Sequence, residues 1–199
     1  MENGRAKLNI TPDQTAEQLK TCDKLLLHCC CAPCATAVIE RILPTVKPTL
    51  YYFNPNTYPK AEYDKRLNEL IKLAQIFSLE VIVEPYNHDE FTAVANGLGK
   101  ESEGGVRCEE CITLRLKETA NFAQENGYDA FTTTLSVSPH KNADFINTVG
   151  RTLGTDECKF ISADFKKADG FKRSTALSKE YGLYRQDYCG CEFSQRSEK

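Results

Sequence analysis

Ten residues of this chain are cysteine, and all but Cys22 and Cys158 fall into three groups: Cys29-Cys30-Cys31 with Cys34, Cys108-x-x-Cys111, and Cys189-Gly190-Cys191. Thiolate sulfur is the soft ligand taken by zinc and iron–sulfur clusters, and it is also the nucleophile of thiol–disulfide exchange. Cys108 and Cys111 stand at i and i+3 at the start of a helical pattern, so their sulfurs share one face. A helix N-terminus there favours thiolate. Adjacent cysteines at a strand end, such as Cys30 and Cys31, point to opposite sides unless the chain turns; a strand-to-helix turn lets both converge. Two thiolates from each of these groups make four, enough for one tetrahedral zinc or one cubane cluster. Cys189 and Cys191 can bridge only through a small strained ring, and strain makes a disulfide easier to reduce. That spacing describes a redox couple, or else two more metal ligands. Cys158 lies in an apolar stretch and reads as a plain buried thiol, and Cys22 as incidental.

Strands alternating with helices must position these sulfurs. Lys24–His28 reads as a buried strand ending in the cysteine run. Pro33 suits a first helical turn, and Ala35, Val38, Ile39 and Ile42 follow at helical spacing until Pro44 and Pro48 end the pattern. Thr49–Phe53 is a β-branched and aromatic strand, a helix is expected from about Pro59 to Phe77, and Glu80–Val83 is a third strand. A polar stretch from Asn87 to Val106 interrupts the alternation as a helix plus a loop. Helix returns from about Cys108 to Asn126 with Gly127 as its C-cap, followed by strand Ala130–Leu135, helix Asn142–Leu153 capped by Gly154, and strand Cys158–Ser162. Such βαβ units build a mostly parallel sheet covered on both faces. Ligands of such sheets collect at the carboxyl ends of the strands, where the cysteine run and Thr132–Ser138 both fall. The expected organisation is a single α/β domain over 1–199, with a core at about 24–162. A Cys-containing C-terminal extension, about 163–199, folds over the site.

Spacing and composition exclude several classes. The loop after the first strand lacks the glycines of a P-loop or a dinucleotide-binding turn. A radical-SAM pattern fails because no third cysteine follows Cys30-x3-Cys34 closely, and a compact zinc ribbon would need its pairs closer together than Cys34 and Cys108. The chain has 199 residues, 41% hydrophobic and 27% charged, which is ordinary for a globular domain. Ten cysteines amount to about 5%, below the roughly 8–10% of a disulfide scaffold. No apolar run is long enough to span a membrane, and Met1–Lys7 does not resemble a signal peptide. A cytoplasmic protein with reduced thiols and no membrane partner is therefore expected. The net charge of −3 argues against broad adhesion to nucleic acid, though not against a local basic patch.

Four motifs occur in order: His28-Cys-Cys-Cys-Ala-Pro-Cys34, Arg107-Cys-Glu-Glu-Cys111, Thr132-Thr-Thr-Leu-Ser-Val-Ser-Pro139 and Tyr184-Arg-Gln-Asp-Tyr-Cys-Gly-Cys191. With these the chain resembles the QueH family of epoxyqueuosine reductases from about Lys24 to Ser194. The resemblance implies a HUP-like (Rossmann-like) three-layer α/β fold and an iron–sulfur cluster, of the 4Fe-4S type. It implies the last step of queuosine biosynthesis, in which an epoxide on the modified wobble guanosine of tRNA loses its oxygen and becomes an alkene. Carried over by the motifs, the cluster ligands fall on Cys30, Cys31, Cys108 and Cys111, and the redox-active, disulfide-forming pair on Cys189 and Cys191. Cys34 is either a spare thiol or a ligand to an additional iron ion. The partners implied are tRNA carrying epoxyqueuosine in the anticodon loop and an electron donor that the sequence does not identify.

Deoxygenating an epoxide also needs a proton source. Tyr184, Tyr188, His28 and His140 are the candidates, each weighed against an ordinary structural role. Lys166, Lys167, Lys172, Arg173, Lys179 and Arg185, interleaved with Phe165, Phe171, Tyr181 and Tyr184, form a basic aromatic tail of the kind that meets a phosphate backbone and an unstacked base. The alternative is a solvated basic face. Two other functions fit the same cysteines: a persulfide-handling sulfur-transfer protein without a cluster, and a noncatalytic zinc module that binds RNA.

Overall fold

A computed structural model describes residues 8–195. Met1–Lys7, on which the expectation about a signal peptide rests, and 196–199 of the expected extension lie outside the described residues. The elements are α1 (Pro12–Leu19), β1 (Leu25–His28), α2 (Ala32–Ile42), β2 (Thr49–Tyr52), α3 (Lys60–Phe77), β3 (Val81–Val83), α4 (His88–Ala95), α5 (Val106–Glu125), β4 (Ala130–Thr133), α6 (Ala143–Leu153), β5 (Lys159–Phe160) and α7 (Gly170–Glu180).

The five strands form one parallel sheet in the order β3-β2-β1-β4-β5. Every residue of β1 and β4 is buried, as a parallel sheet with both faces covered requires. Side chains alternate across β1. Leu25 and Leu27 pack with Val38, Ile39 and Leu70 under α2 and α3, and Leu26 packs with Leu116, Ala120 and Ile146 under α5 and α6. Three layers result. The chain builds outward from β1 to β3 and then returns to lay β4 against the other side of β1. This reversal opens a crevice between the carboxyl ends of β1 and β4, where His28 sits level with Thr133.

Most elements match the expectations from patterning, and the departures have local causes. β4 stops at Thr133 because its hydroxyl accepts the Leu135 N–H (3.2 Å) and turns 134–137 into a 3-10 helix. α5 ends where expected: Gly127 is left-handed (φ +64°), and the Tyr128 N–H donates back to the Ala123 carbonyl. α1, closed by a Thr11/Gln14 capping box, was not expected. The main correction concerns the tail. Helix α7 runs through it and packs on α2, although its sequence has too few apolar residues to show a stripe. Lys167 donates to Asn9 Oδ1 (2.7 Å) and the Ile10 carbonyl (2.8 Å), Arg173 pairs with Glu40, and Phe165 is core. The tail is thus not one continuous basic strip. No described helix is long and apolar enough to cross a membrane.

Candidate functional site

The strand-to-helix turn after β1 does converge its thiols. Cys31 is the N-cap of α2, and Cys34 follows on the same face one turn later. Cys30 and Cys31 sulfurs are 3.9 Å apart, and the sulfurs of Cys30, Cys31 and Cys34 all lie within 4.8 Å of one another. Thr134 fixes Cys30 from the 3-10 turn after β4: its oxygen accepts the Cys30 N–H (3.1 Å), and its hydroxyl donates to Cys30 Sγ (3.4 Å). Hydrogen bonds with Cys31 and Cys34 hold the pKa of Cys30 well below the usual thiol value against the cost of burial. The reciprocal effect pushes Cys31 up to about 12 and Cys34 well up. Cys29 is not part of this group: its thiol donates to the Leu27 carbonyl and its own carbonyl accepts from buried Asn54 (2.9 Å).

Cys108, Cys111, Cys189 and Cys191 line a second, smaller cavity of about 40 Å³, walled also by Asn56 and Arg115. The Gly104 N–H donates to Cys108 Sγ (3.3 Å). Asn56 Oδ1 is buried there without a hydrogen-bond partner among the described residues. Cys30 and Cys31 thus stand with Cys34, and Cys108 and Cys111 stand with the Cys189–Cys191 pair. Cys189 joins the two, because it also lines a larger cavity of about 200 Å³ shared with Cys30, Cys34, Arg66, Lys141 and Arg185. One thiol expectation needs correction. Burial pushes Cys111 up to about 11 despite the nearby Arg115 cation, and burial likewise raises Cys191 against a hydrogen bond to Ser194. At Cys111 desolvation outweighs the helix terminus. All ten cysteines are free thiols, so the expected 189–191 bridge is not formed in this structure. Cys22 and Cys158 are buried in the two cores.

Patterning did not reveal the cations. Arg115, 3% exposed, donates to the Cys111 carbonyl (3.2 Å) and to Asn54 Oδ1 (3.4 Å). Burial opposes its charge, and the sulfurs of Cys111, Cys189, Cys30 and Cys191 restore it. Lys141 is held cationic in the same way, mainly by Cys189 and Cys30. Arg66, 2% exposed, pairs with Glu62 (2.7 Å) and donates to the Cys189 carbonyl (2.9 Å). One signal was present: Arg66 and Arg115 each occupy a core-facing position of an amphipathic helix, level with Leu70 and Cys111 respectively. Gly190 (φ +130°) is required beside Arg66, because a Cβ there would stand 2.8 Å from Arg66 Nη1. The Tyr58 N–H donates to the Gly190 carbonyl (2.8 Å) and secures the segment further.

The candidate proton donors separate cleanly. His28 is fully buried between Thr133 Oγ1 (2.8 Å) and the Phe53 carbonyl (3.2 Å), and burial with the Arg115 charge lowers its pKa to about 4. It is a neutral core residue. Tyr184 donates to Glu62 (3.3 Å) under the Lys65 ammonium, and Tyr188 donates to the Tyr58 carbonyl (3.0 Å). His140 alone of the four is exposed, and it lines both cavities.

Residues 25–197 match the family model described as epoxyqueuosine reductase QueH. The epoxyqueuosine reductase QueH of Thermotoga maritima is 39% identical over 184 residues, covering 88% of this chain and 93% of that protein. That of Staphylococcus epidermidis is 38% identical over 180 residues, covering 86% and 76%. That of Acinetobacter baylyi is 34% identical over 199 residues, covering 98% and 88%. Among solved structures, the U34-tRNA thiolase NcsA from Methanococcus maripaludis with its [4Fe-4S] cluster has the same fold at TM-score 0.54 and 12% identity, covering 92% of this chain and 68% of that one. With a model match across most of its length and relatives above one-third identity, this chain belongs to the QueH family of epoxyqueuosine reductases.

Proposed function

We propose that this protein reduces epoxyqueuosine at the wobble position of tRNA to queuosine, as one domain whose C-terminal segment closes the site. The observation that carries the chemistry is the trio Cys30, Cys31 and Cys34, of which Cys30 and Cys34 face a cavity whose wall is shared with Cys189, Arg115 and Lys141. The donor set fits an iron–sulfur cofactor: soft sulfurs, one of them with its pKa lowered by its neighbours, and adjacent cations able to offset the negative charge of a thiolate-bound cluster. We assign the ligands of a 4Fe-4S cluster to Cys30, Cys31, Cys108 and Cys111, and give Cys34 to an additional iron ion. When bound, the cluster supplies single electrons at low potential.

The overall change consumes two electrons and two protons; both epoxide C–O bonds break, a C=C bond forms, and the oxygen leaves as water. The Cys189–Cys191 dithiol balances this in full by passing two electrons and two protons and becoming a disulfide, which an external electron donor then returns to dithiol. Arg66 holds the backbone of that pair, and Arg115 and Lys141 place positive charge in the cavity that Cys189 lines. His140 is the exposed group able to relay protons at the cavity mouth.

The test is anaerobic iron and sulfide analysis with a visible spectrum, followed by incubation with an epoxyqueuosine-bearing anticodon stem-loop RNA and a chemical reductant. The expected result is a coloured protein and loss of one oxygen atom from the nucleoside by mass spectrometry. Cys108→Ala is expected to lose iron and activity together, and Cys191→Ser to keep iron while failing to turn over repeatedly. A colourless protein holding one zinc, or an RNA product of unchanged mass, overturns the assignment.

A further inference from the structure

Of the aromatic residues interleaved with the tail's basic ones, most are spent on the fold. Phe165 is core, Tyr181 packs edge-on against Phe77, and Tyr184 is held by Glu62 and covered by Lys65. Phe171 differs. It is 38% exposed, it lines the 200 Å³ cavity that also holds Cys30, Cys34 and Cys189, and the Arg185 guanidinium lies over one face of its ring, 5.2 Å from the centre. Being part cavity wall and part solvent-facing, it stands on the rim.

The backbone that carries Phe171 is firmly placed. Asp169 is left-handed (φ +57°), and Gly170 abuts the Phe165 carbonyl so closely that no Cβ fits between them. The Phe171 carbonyl accepts from Ser174 (2.8 Å) and Thr175 (3.1 Å) in the first turn of α7, and α7 packs on α2, the helix that starts at the cysteine turn. The distance from ring to thiols is thereby set by two packed helices and not by a loop.

We propose that Phe171 and Arg185 form a stacking platform for a single-stranded nucleotide flanking the one that enters the cavity. The ring takes the π-face of the base, and the guanidinium takes the adjoining phosphate. An exposed aromatic beside an arginine is the pairing that single-stranded RNA recognition uses, since every base offers a π-face and every linkage a negative charge. This rests on the tRNA-reductase reading, and it names which part of the former basic tail meets RNA.

The experiment uses the full chain, an epoxyqueuosine stem-loop with 2-aminopurine next to the modified position, and the variants Phe171→Ala, Phe171→Trp and Arg185→Ala. In the wild type, binding quenches the 2-aminopurine. Phe171→Ala loses the quench and weakens RNA affinity about tenfold, as loss of one base–aromatic stack does. The loss appears in KM, and saturating RNA restores turnover. Phe171→Trp keeps the quench and the affinity, which separates stacking from a folding defect. Arg185→Ala lowers the slope of log affinity against log salt by about 0.7, the value of one single-strand phosphate contact. Wild-type protein that reduces the RNA while Phe171→Ala binds it with unchanged affinity and quench overturns the platform alone. Wild-type protein that neither binds nor reduces the RNA overturns the platform and the function together.

Discussion

Replacing Gly190 by Ala tests the idea that the Cys189–Cys191 segment is strapped in place by Arg66. A non-glycine residue at φ +130° costs on the order of 1–3 kcal/mol in backbone strain. The added Cβ would also stand 2.8 Å from Arg66 Nη1 and 3.3 Å from Thr57 Oγ1. Thr57 is buried and Arg66 is tied to Glu62, so neither yields freely. Moving Arg66 weakens its hydrogen bond to the Cys189 carbonyl, a contact of a charged donor with a net value of about 1.5–3 kcal/mol. Part of that survives through relaxation, which leaves at least about 2 kcal/mol. Residues 188–195 lie beyond α7 and outside the sheet, so the least costly response is local detachment.

The assay follows from that. Cys191 is buried, and its alkylation reports opening of the segment when reclosing outpaces the reagent. About 2 kcal/mol raises the open population roughly 30-fold, and the alkylation rate of Cys191 in Gly190→Ala rises with it. The melting temperature falls by less than the about 4 °C that 1 kcal/mol of global destabilisation brings at this size. A folded variant whose Cys191 is protected as in the wild type refutes the strap. So does a large fall in melting temperature with protection unchanged, because the strain would then be borne by the whole fold.

His28 makes stability depend on pH: its folded pKa near 4 lies below the unfolded 6.5, so the contribution is complete above pH 6.5 and is lost as pH falls towards 4. The full difference is about 3 kcal/mol, and urea titrations should show His28→Gln flattening that part of the profile between pH 7 and 4.5. Asn54→Ala leaves the Cys29 carbonyl and the Arg115 guanidinium short of a partner, with an expected cost of about 2–4 kcal/mol by urea unfolding. Lys167→Ala should lower stability by about 1 kcal/mol through its lost bonds to Asn9 and Ile10, while leaving the salt dependence of RNA binding unaltered, as measured by fluorescence titration.

The one-dimensional pattern was enough for the alternation of strands and helices, the parallel sheet and the three cysteine groups. Each of these depends on residues near in sequence: the run Leu25–Leu27, the stripe Ala35–Ile42, and Gly127 closing α5. The four motifs in order also pointed to the family, because they span most of the chain. Helix α7 was hidden because only a few of its residues are apolar and its stability comes from packing on α2. Which of the cysteine groups meet was hidden as well. Cys30, Cys31 and Cys34 come together locally because Cys31 caps α2, whereas Cys108 and Cys111 meet Cys189 and Cys191 across contacts some eighty residues apart in the chain. The charges that surround these thiols, Arg66, Arg115 and Lys141, come from α3, from α5 and from the turn before α6. A cation's position relative to a thiol is a property of how helices cross over a sheet, and only the packed structure decides it.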